Sequence, residues 1–296
     1  MLSILIPTYN YEAVSFVKVL QKQAEECLIP YEIIVMDDGS LEFKEANREI
    51  NSIPNCIYIE LKTNVGRSKI RNLLAEKAQY NWLLFIDSDG EVVSNHFIKK
   101  YLPFCKEGAV VCGGRVYQVN HPEEKNHCLH WVYGKKREAL TAKERQHKPN
   151  SSFMSNNFLI YRPLFKEVGF EETIVEYGYE DTLLGFMLKQ RGISIYHIDN
   201  PLLHNGIETS RIFIEKTKKS IQNLLKIYQM PHYKSIESEV KLLRVYVLIK
   251  KFHLGNIYKN TYKHLHPMVS KNLIGNKPSM FFFDLFKLAY LCKIDK

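Results

Sequence analysis

Two aspartates one residue apart, Asp87 and Asp89, are the first residues whose type and spacing suggest chemistry. They follow an unbroken apolar run, Trp82–Ile86, and precede a glycine. This pattern is typical of a strand that is buried on both faces and turns at the edge of its sheet. Two carboxylates this close repel each other unless a positive charge lies between them. A divalent cation that also binds a phosphate would supply that charge. The simpler alternative is a solvated turn, because Asp, Ser and Gly are common turn residues.

The elements that must position these aspartates alternate along the first two thirds of the chain. Apolar, β-rich runs alternate with segments of helical spacing, which predicts βαβ units and a mainly parallel sheet flanked by helices. Predicted strands cover residues 2–6, 31–36, 56–61, 82–86, 109–119, 157–161 and 193–198. Predicted helices cover residues 12–27, a polar segment ending near 53, a segment opening at 66, residues 94–104, a short helix from 163, and 180–191. Residues 120–152 are polar and lack periodicity, so we expect a functional or mobile segment without clear structure there.

Polar residues follow three of the predicted strands at the points where the strands end. Asn10 follows the first strand, Asp37 and Asp38 the second, and Asp87 and Asp89 the fourth. Ligands of open α/β sheets bind in the crevice outside the carboxyl ends of the strands. A shared ligand site at one edge of the sheet therefore explains these residues better than three unrelated turns.

Phosphate-binding signatures of the common kinds are missing from the sequence. It contains neither a P-loop motif nor a G-x-G-x-x-G motif, so a phosphate must be held through a metal, through Arg or Lys, or at a helix N-terminus. Gly66 opens a helix that carries Arg67, Ser68 and Lys69, with Arg71 one turn further on, which is a candidate anion site. Each basic residue taken singly is equally well explained as a solvated helix residue.

A second acidic pair, Glu180 and Asp181, begins a later predicted helix directly after Tyr177-Gly178-Tyr179. Adjacent carboxylates in a partly dry cleft have separated pKa values, which suits one of them for abstracting a proton. Acids at a helix start are also favoured by the helix dipole, so a purely structural role is the alternative.

Composition places the chain among ordinary globular proteins. Of its 296 residues, 45% are hydrophobic and 25% charged, and it has no run of 18 apolar residues that would predict a spanning helix. The N-terminus lacks a basic segment before its first strand, so we expect no signal peptide. The six cysteines have no close paired spacing, which favours reduced thiols and a cytoplasmic protein. His127-Cys128-Leu129-His130 has no partner cluster at matching spacing, so a structural zinc site is not expected.

Positive charge is concentrated in the last third of the chain. Residues 207–296 hold 17 Lys and Arg against 6 Asp and Glu, whereas residues 1–206 hold 24 against 26. Predicted helices there cover 210–228, 236–254 and 279–293, without an RNA- or DNA-binding signature, so no nucleic-acid partner is expected. Such a block suggests peripheral contact with an anionic membrane face, and a solvated basic surface is the alternative. The aromatic residues of 279–293 suit an interfacial patch, packing onto the catalytic domain, or a homo-oligomer interface.

Taken together, these motifs resemble family-2 glycosyltransferases of the GT-A fold. The matching segments are residues 4–10, 33–40, 64–66 with Arg71-Asn72, Asp87-Ser88-Asp89 and 179–181, in the family's order. The resemblance covers residues 1–206 and implies a GT-A, Rossmann-like catalytic domain there, followed by a helical extension over 207–296. Residues 156–181 also look like the acceptor region of galactosyl- and N-acetylgalactosaminyltransferase-like members.

The resemblance implies an activity and its partners. Family members move a sugar from a nucleotide-diphosphate sugar, most often a UDP-sugar, to an acceptor hydroxyl with inversion and with Mn²⁺ or Mg²⁺. The expected acceptor is a glycan or a lipid-linked molecule, in polysaccharide or glycoconjugate synthesis. A non-catalytic glycan-binding or partner subunit that kept the fold is the alternative. A nucleotidyltransferase would need a glycine- and basic-rich loop where this chain has Pro7-Thr8-Tyr9-Asn10.

The resemblance also assigns roles to residues. Asp89 and, in some members, a histidine matching His204 would bind the metal, with Asp87 in the same Asp-x-Asp motif beside the ribose. Asp181, with Glu180 beside it, matches the catalytic acid pair. Family members often have a small or apolar residue in place of Arg67, and tryptophans in place of Tyr177 and Tyr179. The residues expected to contact the nucleotide are Pro7, Tyr9, Asn10, Asp37, Asp38, Gly66, Arg67, Arg71, Asp87 and Ser88.

Overall fold

The computed structural model of the chain describes residues 1–253 and 267–295, which form two compact units. The first unit comprises Met1–Tyr117, Ala139–Val175 and Glu180–Gly206. The second comprises Gln118–Glu138, Glu176–Tyr179 and the described part of 207–296. The chain crosses from the first unit to the second for the last time after residue 206, the position at which the sequence predicted a domain boundary. Two earlier segments, which that boundary assigned to the catalytic domain, belong to the second unit.

The first unit is built on two sheets. The strands, in chain order, are β1 Leu2–Thr8, β2 Tyr31–Asp37, β3 Cys56–Glu60, β4 Trp82–Ile86, β5 Gly90–Val92, β6 Val110–Cys112, β7 Arg115–Val116, β8 Asn157–Tyr161, β9 Tyr196–His197 and β10 Leu202–His204. Seven of them form one sheet in the order β3-β2-β1-β4-β8-β6-β9, and β5-β10-β7 form the other. In the larger sheet only β8 runs antiparallel to its neighbours, which confirms the mainly parallel α/β prediction.

Helices flank the strands as the alternation predicts. The described helices are α1 Val14–Glu26, α2 Lys44–Asn47, α3 Arg67–Lys77, α4 Cys128–Tyr133, α5 Ala142–Gln146, α6 Arg162–Val168, α7 Glu180–Gln190, α8 Ser210–Gln229, α9 Lys241–Lys251 and α10 Met280–Ile294. Residues 267–274 are also helical. Short 3₁₀ segments cover Arg48–Ser52, Lys99–Phe104, Lys125–His127 and Pro231–Ser238, and Gly134–Glu138 forms a π-helical turn.

Several predicted elements were wrong in detail. The helix predicted over 94–104 is only a 3₁₀ segment, and Pro103 inside it removes a backbone donor. The strand predicted over 109–119 is split at Gly113-Gly114 into β6 and β7, which lie in different sheets. The strand predicted over 193–198 shortens to β9, and β10 was not predicted. Residues 120–152, expected to lack structure, contain α4 and α5.

The core of the first unit explains why β4 ends where it does. All five residues of β4 are buried, and Phe85 stacks on Phe158 of β8 with ring centroids 4.8 Å apart. Helix α1 buries Val14, Val17, Leu20 and Ala24, the face that its spacing predicts. The next residue, Asp87, is charged and does not fit into this apolar core, so the buried strand ends at Ile86.

The second unit has its own apolar core, formed by Leu129, Phe213, Ile214, Val269, Leu273, Phe283 and Phe286. Phe283 and Phe286 of α10 thus pack within this unit, whereas Phe281 on the same helix is 73% exposed. The helix predicted over 236–254 begins at Lys241, and residue 254 lies outside the described part. No helix of the described residues is both long and apolar enough to cross a membrane.

The six cysteines are all free thiols. Four are buried and two are partly buried, as expected for cysteines without paired spacing. Within residues 1–253 and 267–295, no group of three or more His, Cys, Asp or Glu side chains is arranged to hold a metal ion.

Candidate active site

The carboxyl edge of the larger sheet brings the predicted site residues together. The parallel register pairs Thr8 of β1 with Asp37 of β2, so the turns after these strands are neighbours. On the other side of β1, Leu5 pairs with Phe85 of β4, which places the Asp87–Asp89 turn at the same edge. Burial raises the pKa of Tyr11, which follows β1, and the charges of Asp89, Glu12 and Glu91 add to this shift.

Asp87 is surrounded by arginines. Nη2 of Arg71 donates to Oδ1 of Asp87 at 2.6 Å, and Nη2 of Arg115 lies 3.9 Å from Oδ2. Burial by itself would raise the pKa of Asp87, but the charges of Arg71, Arg67 and Arg115 outweigh it and hold that pKa below its ordinary value. Asp87 is therefore a carboxylate at neutral pH that lies among three guanidinium groups.

Arg71 is held rigidly inside the first unit. Only 2% of the residue is exposed, although arginine is rarely fully buried. Besides Asp87, it donates from Nη1 to the carbonyl oxygen of Arg67 at 3.1 Å, and its guanidinium lies 5.5 Å from the ring centroid of Phe170. A buried cation fixed in this way needs its carboxylate partner, because an unpaired buried charge is costly.

Asp89 lies on the opposite side of the same turn and faces a histidine. Strand β5 pairs with β10 so that Gly90 is opposite His204, which brings Oδ2 of Asp89 to 3.5 Å from Nδ1 of His204. Asp89 is about one third exposed, whereas His204 is buried and packs edge-on against the ring of Tyr117. One oxygen and one nitrogen ligand of the same cation, each bonded at about 2.1 Å, lie roughly 3 to 3.5 Å apart. The pair therefore fits a divalent cation that accepts both ligand types.

The space around this pair is kept clear by a glycine. A Cβ on Gly206 would lie 2.8 Å from Oδ2 of Asp89 and 3.1 Å from Cε1 of His204. Any side chain there would displace one of the two groups. The missing Cβ thus preserves a small cradle beside the Asp89–His204 pair, as a bound ion would require.

The predicted nucleoside pocket is formed by the turns after β1 and β2. Asn10 adopts a left-handed φ of 48°, its backbone N–H donates to Oγ of Ser40 at 2.7 Å, and its Oδ1 accepts from the N–H of Leu41 at 2.8 Å. These bonds join the two turns into one wall. Pro7 lies half-buried near the end of β1, and Tyr9 is about half exposed beside it.

Asp37 and Asp38 also organise this wall. Buried Asp37 accepts from the N–H of Ser40 at 2.7 Å. Asp38 accepts from the N–H of Val65 at 2.6 Å and of Gly66 at 3.2 Å, so it fixes the loop that leads into α3. Burial raises the pKa of Asp38; the two backbone bonds oppose this shift, and the charge of Asp37 adds to it. A carboxylate oxygen has two lone pairs, so these bonds leave Asp38 able to accept a further one from a ligand.

Gly66 and Arg67 begin α3 at the same edge. Gly66 has a φ of 87°, which favours glycine, and a Cβ there would lie 3.1 Å from the carbonyl oxygen of Val175. Nη1 of Arg67 lies 3.6 Å from Oε1 of Glu180, the first residue of α7. The start of α3 is thereby linked to the predicted acid pair within the first unit.

The two members of the acid pair differ in exposure. Only 5% of Glu180 is exposed, and its Oε2 has no hydrogen-bond partner among the described residues. Asp181 is half-buried, and its Oδ1 accepts from the N–H of Thr182 at 2.6 Å. Asp181 is therefore the member that a substrate can approach. Ser88, in the other acidic turn, is buried.

The sequence of this chain matches a known protein family. The family described as "Glycosyl transferase family 2" matches residues 3–169, more than half of the chain. The chain belongs to glycosyl transferase family 2. It is thus a glycosyltransferase, as the motif order predicted.

Other glycosyltransferases resemble this glycosyltransferase over most of its length. An uncharacterized glycosyltransferase from Haemophilus influenzae is 23% identical over 287 residues, which cover 97% of this chain and 90% of the relative. S. aureus TarS 1–349, solved in complex with UDP-GlcNAc, is 16% identical, with a TM-score of 0.52 over 99% of this chain and 90% of that chain. The chain spans 44% of a longer TarS chain.

A third similar protein is glucosyl-3-phosphoglycerate synthase from Mycobacterium tuberculosis, solved with Mn²⁺, UDP and glucosyl-3-phosphoglycerate. It is 18% identical, with a TM-score of 0.53 over 76% of this chain and 79% of that chain. At these identities the solved structures establish the shared GT-A fold of this glycosyltransferase, and nothing about its substrates.

Two residues of the candidate site were not found from the sequence. Arg115 follows the Gly113-Gly114 pair, which was noted only as part of a strand, and Gly206 follows the His204 segment. Their spacing to Asp87 and Asp89 has no sequence signature, because a three-stranded sheet of very short strands brings them together. The family resemblance implied the metal as the partner of Asp89 and the ribose as the partner of Asp87. The geometry gives these two carboxylates different surroundings, arginine for Asp87 and histidine for Asp89.

Proposed function

We propose that this glycosyltransferase transfers a sugar from a UDP-sugar to an acceptor hydroxyl, with inversion and with a divalent metal ion, in polysaccharide or glycoconjugate synthesis. The observation that carries the proposal is the Asp87–Asp89 turn, which has three arginines on one side and the Asp89–His204 pair on the other. Arginine side chains and a divalent cation can both bind the phosphate oxygens of a nucleoside diphosphate.

The arginine side suits the diphosphate of the donor. Arg67, Arg71 and Arg115 all lie close enough to Asp87 to lower its pKa, and Arg67 stands at the start of α3, where backbone N–H groups also favour anions. UDP-sugar is the donor we propose, and the UDP and UDP-GlcNAc complexes of similarly folded proteins support that choice.

The histidine side suits the metal. Asp89 and His204 would hold it, and with only two protein ligands the remaining positions are left for phosphate oxygens and water, as is usual for Mg²⁺ and Mn²⁺ in phosphate-binding sites. When bound, the ion neutralises the negative charge of the departing diphosphate. The Mn²⁺ in the M. tuberculosis synthase supports this part of the proposal.

Asp181 is the proposed general base. Its carboxylate takes the proton from the acceptor hydroxyl while that oxygen forms a bond to the anomeric carbon and the bond from that carbon to the diphosphate oxygen breaks. Attack opposite the leaving group inverts the configuration. Glu180, buried beside Arg67, is a positioning residue that holds the start of α7. A glycan and a lipid-linked molecule both remain acceptors compatible with this chemistry.

The experiment that tests the base is Asp181→Asn. We expect transfer to fall by about 10³-fold, because base catalysis is lost, while UDP binding with Mn²⁺ stays within a few-fold of the wild type. Transfer is measured with a panel of UDP-sugars and acceptors, after a thermal-shift screen selects the sugar that stabilises the protein most. Glu107→Gln, which removes an exposed acid away from the site, is the matched control. Turnover like that of the wild type in Asp181→Asn would remove Asp181 from the mechanism.

A further inference from the structure

The basic helices of the second unit differ in how their charges are used. On α8, Lys216 pairs with Glu208, Lys218 pairs with Glu215 at 2.6 Å, and Lys219 lies 3.8 Å from Glu176. These cations are largely neutralised within the unit. Their sequence positions alone would have suggested a continuous basic surface.

Helix α9 presents cations in another way. It contains no acidic residue, and Lys241, Arg244 and Lys251 are exposed. Among the described residues, none of the three has a carboxylate within 4 Å, whereas Lys250 on another side of the helix pairs with Asp295 at 2.7 Å. The positive charge of α9 is therefore concentrated on one side that faces solvent.

Two apolar side chains lie on that same side. Leu248 is 53% exposed and Phe252, which ends the helix, is 65% exposed. At 100° per residue, Lys241, Arg244, Leu248, Lys251 and Phe252 fall within an arc of about 100°. We call these five residues the α9 face. The opposite side of the helix, with Leu243, Tyr246 and Ile249, is buried in the unit.

We propose that the α9 face docks on the surface of an anionic lipid bilayer. Its three cations match negatively charged headgroups, and Leu248 and Phe252 lie between and beside them, where they can enter the boundary with the acyl chains. The helix then lies in the plane of the membrane. This surface differs from the α10 patch considered from the sequence, of which Phe283 and Phe286 are buried in the core of the second unit.

The apolar residues favour lipid over nucleic acid as the partner. A single-stranded nucleic acid would attract the three cations equally well, and a base could stack on Phe252, but it would not bury the exposed aliphatic side chain of Leu248 as an acyl-chain boundary does. A bilayer surface satisfies both halves of the face. The proposal does not depend on the activity proposed above, because it concerns binding by the second unit alone.

The test measures binding of the full chain to vesicles by flotation. Vesicles contain phosphatidylglycerol and phosphatidylcholine in equal amounts, or phosphatidylcholine alone. We expect binding only to the anionic vesicles and weaker binding at high salt, since exposed charges are screened. Replacing Lys241, Arg244 and Lys251 together by Gln should weaken binding about 100-fold, because each cation near the surface contributes roughly a fivefold gain in affinity.

A second variant, Leu248→Gln with Phe252→Gln, should weaken binding about tenfold while leaving the charge unchanged. The matched charge control replaces three exposed lysines of the first unit, Lys22, Lys77 and Lys100, by Gln and should bind like the wild type. Circular dichroism checks that each variant is folded. The proposal is overturned if anionic vesicles do not bind the chain, or if the control loses as much binding as the α9 variant. It is also overturned if a single-stranded RNA binds more tightly than the vesicles through the same cations.

Discussion

The two sides of the Asp87–Asp89 turn are separated by one residue and use their carboxylates differently. Asp87 contacts buried Arg71 and lies near Arg115, so its charge is used inside the protein. Asp89 is about one third exposed, faces His204 and is bordered by Gly206. The difference teaches that an Asp-x-Asp motif can divide its work: one carboxylate holds the cations in place, and the other remains for a ligand.

Local structure explains this division. Asp87 directly follows β4, whose residues are all buried, so its side chain meets the arginine that α3 directs under the sheet edge. The chain then turns, and β5 starts at Gly90 and pairs with β10, which carries Asp89 towards His204. Stability and ligand binding should therefore separate cleanly between the two carboxylates.

The largest effect is expected from Asp87→Asn. It leaves the Arg71 guanidinium buried without its carboxylate. We therefore expect the free energy of unfolding to fall by about 3–5 kcal/mol. Urea denaturation measures this cost. Asp89→Asn is the matched control, with an expected change below about 0.5 kcal/mol because that side chain is partly exposed. Equal losses in both variants would contradict the division.

Asp89→Asn should instead impair metal-dependent binding. Removing one of two protein ligands is expected to weaken Mn²⁺-dependent UDP binding by about 100-fold, while metal-free binding changes little. Calorimetric titration of UDP with and without Mn²⁺ measures both. An unchanged Mn²⁺ dependence would show that the metal is held elsewhere.

Gly206→Ala should give a smaller effect of the same kind. The added methyl group lies 2.8 Å from Oδ2 of Asp89, so the carboxylate or His204 must move, and Mn²⁺ affinity should fall about tenfold. The comparison variant is Gly192→Ala, where a Cβ meets nothing within 4 Å. Its left-handed φ of 73° affects stability, so only metal affinity distinguishes the two variants.

The smallest effect is a change with pH. Because the folded pKa of Asp87 is depressed, its stabilising effect is fully present above the unfolded value of about 3.9 and is lost as the pH falls towards the folded pKa. The difference in unfolding free energy between the wild type and Asp87→Asn should be constant from about pH 8 to pH 5. It should fall by about 0.3 kcal/mol at pH 4, and more below. A difference that grew on acidification would contradict the depressed pKa.

The sequence predicted what repeats in a strong local pattern. Buried runs such as 31–36 and 82–86 identified the central strands, and the position of polar residues after them located the site edge. The predictions failed where structure depends on distant partners. Strands β5, β7 and β10 have two or three residues each, too few for a period, and they pair only across large separations in sequence. Arg115 could not be linked to Asp87 for the same reason.

Residues 118–138 illustrate a second limit. Their polar composition suggested a loop, but Leu129 is buried in the core of the second unit with Phe213 and Phe283. Whether these six residues form a helix depends on the helices that pack on its apolar face, and the nearer of these in sequence, α8, begins 77 residues after α4 ends. Local periodicity carries no information about such a contact.

The route of the chain also limits how this protein can be shortened. It passes between the two units five times, after residues 117, 138, 175, 179 and 206. A chain ended at 206 would keep α4 but lose α8 and α10, so Leu129 and Tyr133 would be uncovered. It would also lose Asn223, whose Nδ2 donates to the carbonyl oxygen of Glu176 at 2.6 Å, just before the acid pair. Such a fragment would expose apolar surface and tend to aggregate. Loss of activity in the fragment would therefore not show that the C-terminal helices take part in catalysis.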